Sequence, residues 1–178
     1  MGKDRSRRLI EWVFLPAYAM IGLHAVLFEL GRRRGIEFVK VNAKFIVYLV
    51  LLGPLVISIQ NASQYYNWYW DPVRNAPGFV DVWTHVTSSL LLGSLLAPFA
   101  FERFLGWERK WFWFPVFALL MASSLLWEIG ETIQTMDGQS IEYFNYPLDS
   151  LKDIIFGGVF ASILSTWIYE RIVIHCEK

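Results

Sequence analysis

Six side chains able to bind metal or move protons stand in three pairs: Asp81 with His85, Glu128 with Glu131, and Asp149 with Asp153. Within each pair the partners are three or four residues apart, the spacing that places two side chains on one face of a helix. Each pair also lies at the end of a strongly apolar segment. Ionised groups at the edge of hydrocarbon are costly, so they face protein or water and usually have a task. Five carboxylates brought close together raise one another's pKa values unless a cation intervenes. Lys152 is near in sequence, but on a helix it points away from Asp149 and Asp153. A bound divalent metal ion answers the charge problem. Oxygen-rich ligation suits magnesium, manganese, calcium or iron, and His85 admits zinc or iron.

A second account of the same residues is a hydrogen-bonded polar cap at helix ends. Asp81 and Asp149 open their segments, where a carboxylate caps orphan amides and complements the helix dipole. Glu128 and Glu131 close theirs, where the dipole opposes them, so the cap explains the aspartates better than the glutamates. The polar faces extend inward. Thr84 and Ser88 continue the stripe of the first pair, Ser124 that of the second, and Gly157 with Ala161 forms a small-residue pair that permits close helix approach.

The elements that must position these groups follow from composition. Of 178 residues 55% are hydrophobic, 17% aromatic and 18% charged, against about 25% charged in an ordinary soluble domain. Apolar runs near the length of a bilayer crossing recur along the chain. The expected fold is an all-α, polytopic integral membrane bundle of about five transmembrane helices, over 9–30, 43–60, 82–101, 111–131 and 150–172. There is no internal repeat or low-complexity linker, so 1–178 reads as a single membrane domain. The first span is the poorest. It holds Glu11, Pro16, His24 and Glu29, which leaves it a kinked crossing or an interfacial position. Its basic start is followed by no small-residue cleavage site, so it reads as retained.

Lysine and arginine in the short connections set the orientation. Residues 31–44 hold Arg32, Arg33, Arg34, Lys40 and Lys44, residues 102–110 hold Arg103, Arg109 and Lys110, and the C-terminus holds Arg171 and Lys178. These are expected on the cytoplasmic side of the cell membrane. The 61–80 connection has only Arg74 and 132–148 has neither Lys nor Arg, so both are expected outside. Five spans then put the basic residues Lys3, Arg5, Arg7 and Arg8 outside as well, against the rule, unless the first segment does not fully cross. In this arrangement all three polar pairs reach similar depth on the outer side and converge in one outward-opening pocket.

The outward stretch Tyr65, Tyr66, Trp68, Tyr69 and Trp70 suits the headgroup level of a bilayer, as an anchor or as a lid over an apolar ligand. His24 reads as a packed, hydrogen-bonded intramembrane residue lying away from the pairs. His175 and Cys176 read as a terminal tail, and a single cysteine forms neither an internal disulfide nor a metal framework. A formal net charge of zero argues against nucleic acid as a partner.

The motifs D-V-W-T-H at 81–85, E-I-G-E at 128–131 and D-S-L-K-D-I-I-F-G-G at 149–158 resemble the YjdF-like family of small multi-pass membrane proteins. The resemblance covers about residues 78–165, with Asp81, His85, Glu128, Glu131, Asp149 and Asp153 matching in order and spacing. Val86 stands where the family often has an aromatic residue, and Y-F-N-Y-P-L precedes Asp149 in place of a Gly-rich stretch. The resemblance implies that the six residues form one site, and it implies no particular reaction.

Three functions fit. The first is metal-assisted chemistry on an amphiphilic substrate, with the six residues as metal ligands and Glu128 or Glu131 as general base; Arg74 is the only arginine at outward depth, which weakens a phosphoryl version. The second is ion coupling, opposed by the greasy L-L-L-G-S-L-L-A-P and F-A-L-L-M-A stretches. The third is a non-catalytic subunit of a larger membrane complex, whose partners beyond the lipid bilayer are other membrane subunits or further copies of the chain.

Overall fold

The computed structural model describes residues 2–35, 40–66, 70–71, 76–77, 79–103, 111–136 and 151–175. Five helices make up nearly all of this: α1 Gly2–Arg34, α2 Ala43–Tyr66, α3 Phe79–Arg103, α4 Trp113–Met136 and α5 Leu151–Ile174. Between α2 and α3 a minimal antiparallel ladder pairs β1 Trp70–Asp71 with β2 Ala76–Pro77. Three helical stretches are long and apolar enough to cross a membrane, Ala43–Gln60, Val82–Arg103 and Leu151–Ile174, and Trp113–Ile129 of α4 is a shorter apolar run. These fall where the apolar segments place them. The first expected span is not among them: α1 is continuous through Pro16. At α4 the helix runs five residues past Glu131, so Glu128 lies two turns inside its C-terminus. The terminal dipole fades within one turn, and the expected dipole penalty on Glu128 is therefore absent.

Helix α3 is the hub, packed against α1, α2, α4 and α5, with its largest interface on α5. Close approach there depends on missing side chains. A Cβ on Gly93 would stand 2.5 Å from Ser165 Oγ, and one on Gly158 would collide with Met121 of α4. The buried core is Phe45, Leu49 and Val56 of α2, Leu91, Leu95 and Ala97 of α3, Val116 and Leu120 of α4, and Ala161, Tyr169 and Val173 of α5.

One end of the bundle is tied by aromatic and polar contacts. Tyr169 meets Phe45, Phe101 and Phe112 at ring-centroid distances of 5.3, 5.8 and 6.2 Å, separations typical of favourable aromatic pairs. Its hydroxyl donates to the Lys40 carbonyl at 2.6 Å. Asn42 works in two directions. Its Oδ1 accepts the Phe45 amide at 2.9 Å, capping α2, and its Nδ2 donates to the Ile172 carbonyl at 2.8 Å, which ties α2 to the end of α5. The ends of α3 and α5 and the start of α2 therefore share this end, and Arg32, Arg33, Arg34, Lys44, Arg103 and Arg171 all belong to it by position along their helices.

The outward surface is unlike that of a water-facing bundle. Leu51 and Leu126 are 67% and 69% exposed, and Leu15, Val26, Leu55, Ile129, Ile163 and Trp167 are exposed by more than half. Exposed apolar side chains of this kind are compatible with helices that meet lipid.

Candidate metal centre

At the opposite end, α3 and α5 begin and α4 passes antiparallel between them. His85 stands seven residues into α3 counting from Phe79, Asp153 is third in α5, and Glu128 is on the last apolar turn of α4. Ligand atoms from these three residues all lie within 4.8 Å of one another. His85 Nε2 and Asp153 Oδ2 are 3.6 Å apart, too long for a hydrogen bond. Two atoms bound to a single ion at about 2.1 Å in tetrahedral geometry are about 3.4 Å apart. The observed spacing therefore suits two ligands of one metal ion.

Burial sharpens the point. Asp153 is only 3% exposed, and a carboxylate is almost never so buried unless its charge is compensated. The Trp127 ring stands edge-on to His85, with centroids 6.4 Å apart, and fixes one side of the imidazole. Trp83 and Leu151, two residues before His85 and Asp153 on their helices, are half exposed.

Of the six residues expected to converge, these three are seen to do so. Asp81 occupies the first turn of α3 and Glu131 the turn of α4 after Glu128, but their side chains lie outside the described residues, as does Asp149 entirely. Of the aromatic stretch, Tyr65 and Tyr66 close α2 and Trp70 lies in the backbone ladder, while Trp68, Tyr69 and the side chains of the other three lie outside the described residues. His24 is buried and far from the cluster, as expected. Its Nδ1 lies 2.7 Å from the Met20 carbonyl and its ring packs edge-on against Phe99, fourteen residues along α3 from His85. His175 Nδ1 lies 3.0 Å from the Glu170 carbonyl at the other end of α5.

The polar stripes below the site hold one correction. Ser88 does not continue the face of His85; its hydroxyl accepts the Gln60 amide of α2 at 3.0 Å. The residue on the site's face is Ser89. With Ser124 of α4 it flanks Gly157 of α5, whose Cβ would stand 3.0 Å from Ser89 Oγ and 3.3 Å from Ser124 Oγ. The signal was available, since Ser89 follows His85 by four residues. The Thr84–Ser88 stripe is offset from it by one residue, about 100° of helix rotation. Ser124 and Gly157 face inward as expected.

Helix α5 departs from α-geometry directly after Asp153. Residues Ile154–Phe160 form π-helical turns, α-geometry returns over Ala161–Tyr169, and Glu170–Ile174 widen again. Such widened turns are uncommon and gather at functional sites. The widened stretch contains Gly157 and Gly158, the two residues on which α5 meets α3 and α4.

No family model, curated protein or solved structure matches the chain.

Proposed function

We propose that this chain is a multi-pass membrane protein that holds a divalent metal ion at the junction of α3, α4 and α5, and uses it on an amphiphilic substrate. The observation that carries the proposal is the convergence of one imidazole and two carboxylates, from three separate helices, within 4.8 Å. Two carboxylates and a neutral imidazole carry a charge of about −2, which a divalent ion cancels and a monovalent ion does not; buried charge is tolerated when cancelled. Three protein ligands leave coordination positions open, the arrangement of catalytic rather than structural sites.

His85, Glu128 and Asp153 are the ligands in this reading. Asp81, Glu131 and Asp149, their helical neighbours, belong to the same site in this reading, as the resemblance to the YjdF-like family implies, beyond the three residues that hold the ion. A metal supplied here would polarise a bound oxygen or lower the pKa of bound water. Glu131, three residues after Glu128, is the proton acceptor in this reading, and Glu128 takes that role if the ion leaves it free. The exposed apolar helix faces, Trp83 and Leu151 among them, favour a substrate with an apolar tail. The same faces make the lipid bilayer the surrounding partner. Arg32, Arg33, Arg34, Lys44, Arg103 and Arg171 collect at the end away from the site, which supports an outward-facing centre and a cytoplasmic C-terminus, while Lys3, Arg5, Arg7 and Arg8 open α1 toward the other end.

Elemental analysis of the purified protein beside Asp153→Asn and His85→Ala is the direct test. We expect one equivalent or more of a divalent metal in the parent and its loss in both variants. Metal-free parent protein that stays folded and active would sink the proposal.

A further inference from the structure

The three ligands stand on a second polar layer that the metal reading leaves unused. One turn deeper on each helix, at a spacing of four residues, are Ser89 beneath His85, Ser124 beneath Glu128 and Gly157 beneath Asp153. Both hydroxyl oxygens lie within 3.3 Å of the point where a Gly157 side chain would begin, so they meet at the axis of the same three-helix junction. His85 also presents its carbonyl 3.8 Å from that point.

These hydroxyls are not spent on their own helices. Elsewhere in the bundle Thr87, Ser123, Ser162 and Thr166 donate to a carbonyl three or four residues upstream, at 2.8 to 2.9 Å. Among the described residues Ser89 and Ser124 make no such bond. A helical serine that leaves its hydroxyl uncommitted inside a junction keeps a donor and an acceptor available there.

We propose that Ser89 and Ser124 are positioning residues that hold a solvent ligand of the metal ion on the side facing the bundle interior. The proposal rests on the metal reading of His85, Glu128 and Asp153. Distances select solvent over direct coordination. A metal–oxygen bond of about 2.1 Å and a water–hydroxyl hydrogen bond of about 2.8 Å together span about 5 Å, near the roughly 6 Å that four residues rise along an α-helix. A serine oxygen bound to the ion itself would have to lie at less than half that distance. Gly157 is what lets α5 come close enough for the two hydroxyls to share one solvent molecule. The ion would then carry one water fixed from below, while its remaining open positions face the substrate.

The test uses the full-length protein in detergent, loaded with Mn²⁺ in place of the unidentified native ion. The readouts are Mn²⁺ stoichiometry and the exchange rate of bound water, from oxygen-17 relaxation of the solvent. One hydrogen bond is worth about 1 kcal/mol, or roughly fivefold in a rate. Ser89→Ala with Ser124→Ala should therefore bind Mn²⁺ at the parent stoichiometry and speed exchange of one water by about five- to thirtyfold. Ser124→Thr, which keeps the hydroxyl, should exchange at close to the parent rate. Gly157→Ala keeps both hydroxyls but presses on them, and should also speed exchange without loss of metal. If the double alanine variant and Gly157→Ala both bind Mn²⁺ and exchange water at the parent rate, the positioning role is overturned while the metal centre stands. A parent protein that binds no Mn²⁺ overturns the metal centre and this role together.

Discussion

At the scale of single residues, the site is a question of which side chains tolerate losing charge. If an ion holds His85, Glu128 and Asp153 together, Glu128→Gln and Asp153→Asn each remove a charged ligand and should lower metal content and thermal stability together. Ligand binding to the folded state alone contributes about 2.7 kcal/mol at a hundredfold excess over Kd. For a chain of this length that corresponds to about 5–10 °C in Tm. A chelator should lower the melting temperature of the parent by a similar amount and leave that of Asp153→Asn unchanged, as followed by a thermal melt in detergent. An unchanged parent Tm would mean a protonated hydrogen-bond network instead, in which an amide replaces a neutral acid with little loss. The three converging residues were legible in the sequence because carboxylates and an imidazole at helical spacing stand out at the end of an apolar run. Ser89 was legible too, since it follows His85 by four residues, but the Thr84–Ser88 stripe one residue away is equally polar and masks it. The double role of Asn42 was hidden too, since its second partner, Ile172, is distant in sequence and reaches it only through the fold.

At the scale of elements, apolar runs located α2, α3, α4 and α5 because hydrocarbon length is written directly into composition. The continuation of α4 to Met136 and of α1 back to Gly2 was not legible. Polar residues at helix ends carry no hydropathy signal, although backbone hydrogen bonding favours their staying helical. Helix contacts give two predictions. Gly93→Ala would place a Cβ 2.5 Å from Ser165 Oγ and 3.1 Å from Leu120 Cδ1. Overpacking of this kind costs about 1–3 kcal/mol, so the melting temperature should fall. Gly22→Ala in α1 meets nothing within 4 Å and should be neutral or raise stability by about 0.5–1 kcal/mol. The same melts, run side by side, check both, and a fall of equal size in the two would refute the close α3–α5 packing. Asn42→Ala removes a helix cap together with the tie to Ile172 and should cost about 1–2 kcal/mol. Asn42→Asp keeps the capping oxygen but lacks the donor, and should lose only part of that stability.

At the scale of the whole molecule, the chain is polarised. One end is laced by Tyr169 and Asn42 and gathers Arg32, Arg33, Arg34, Lys44, Arg103 and Arg171; the other brings His85, Glu128 and Asp153 together. If the bundle crosses a bilayer as proposed, single cysteines at Arg103 and Leu151, in a Cys176→Ser background, should be labelled from opposite sides by a membrane-impermeant maleimide. Labelling of both from one side would remove the outward placement of the site. Which stretches are long and apolar enough to cross was legible from hydropathy. The position of α1 was not, because Glu11, Pro16, His24 and Glu29 dilute its apolar signal while its buried residues Ile21 and His24 still seat it against α2 and α3.

The widened turns of α5 give this polarity a mechanical meaning. Along an uninterrupted α-helix, the direction in which Asp153 faces would be dictated by the direction in which Ser165 and Tyr169 face, twelve and sixteen residues away. The π-helical stretch Ile154–Phe160 breaks that dependence. It works as a phase shifter, taking up rotation between the end that anchors the bundle and the end that presents a ligand. Deleting one residue within it would turn Asp153 by about 100° relative to Tyr169, away from His85 and Glu128, while the Tyr169–Lys40 and Asn42–Ile172 ties stayed in place. Such a variant would be a folded bundle with its chemistry dialled out of register.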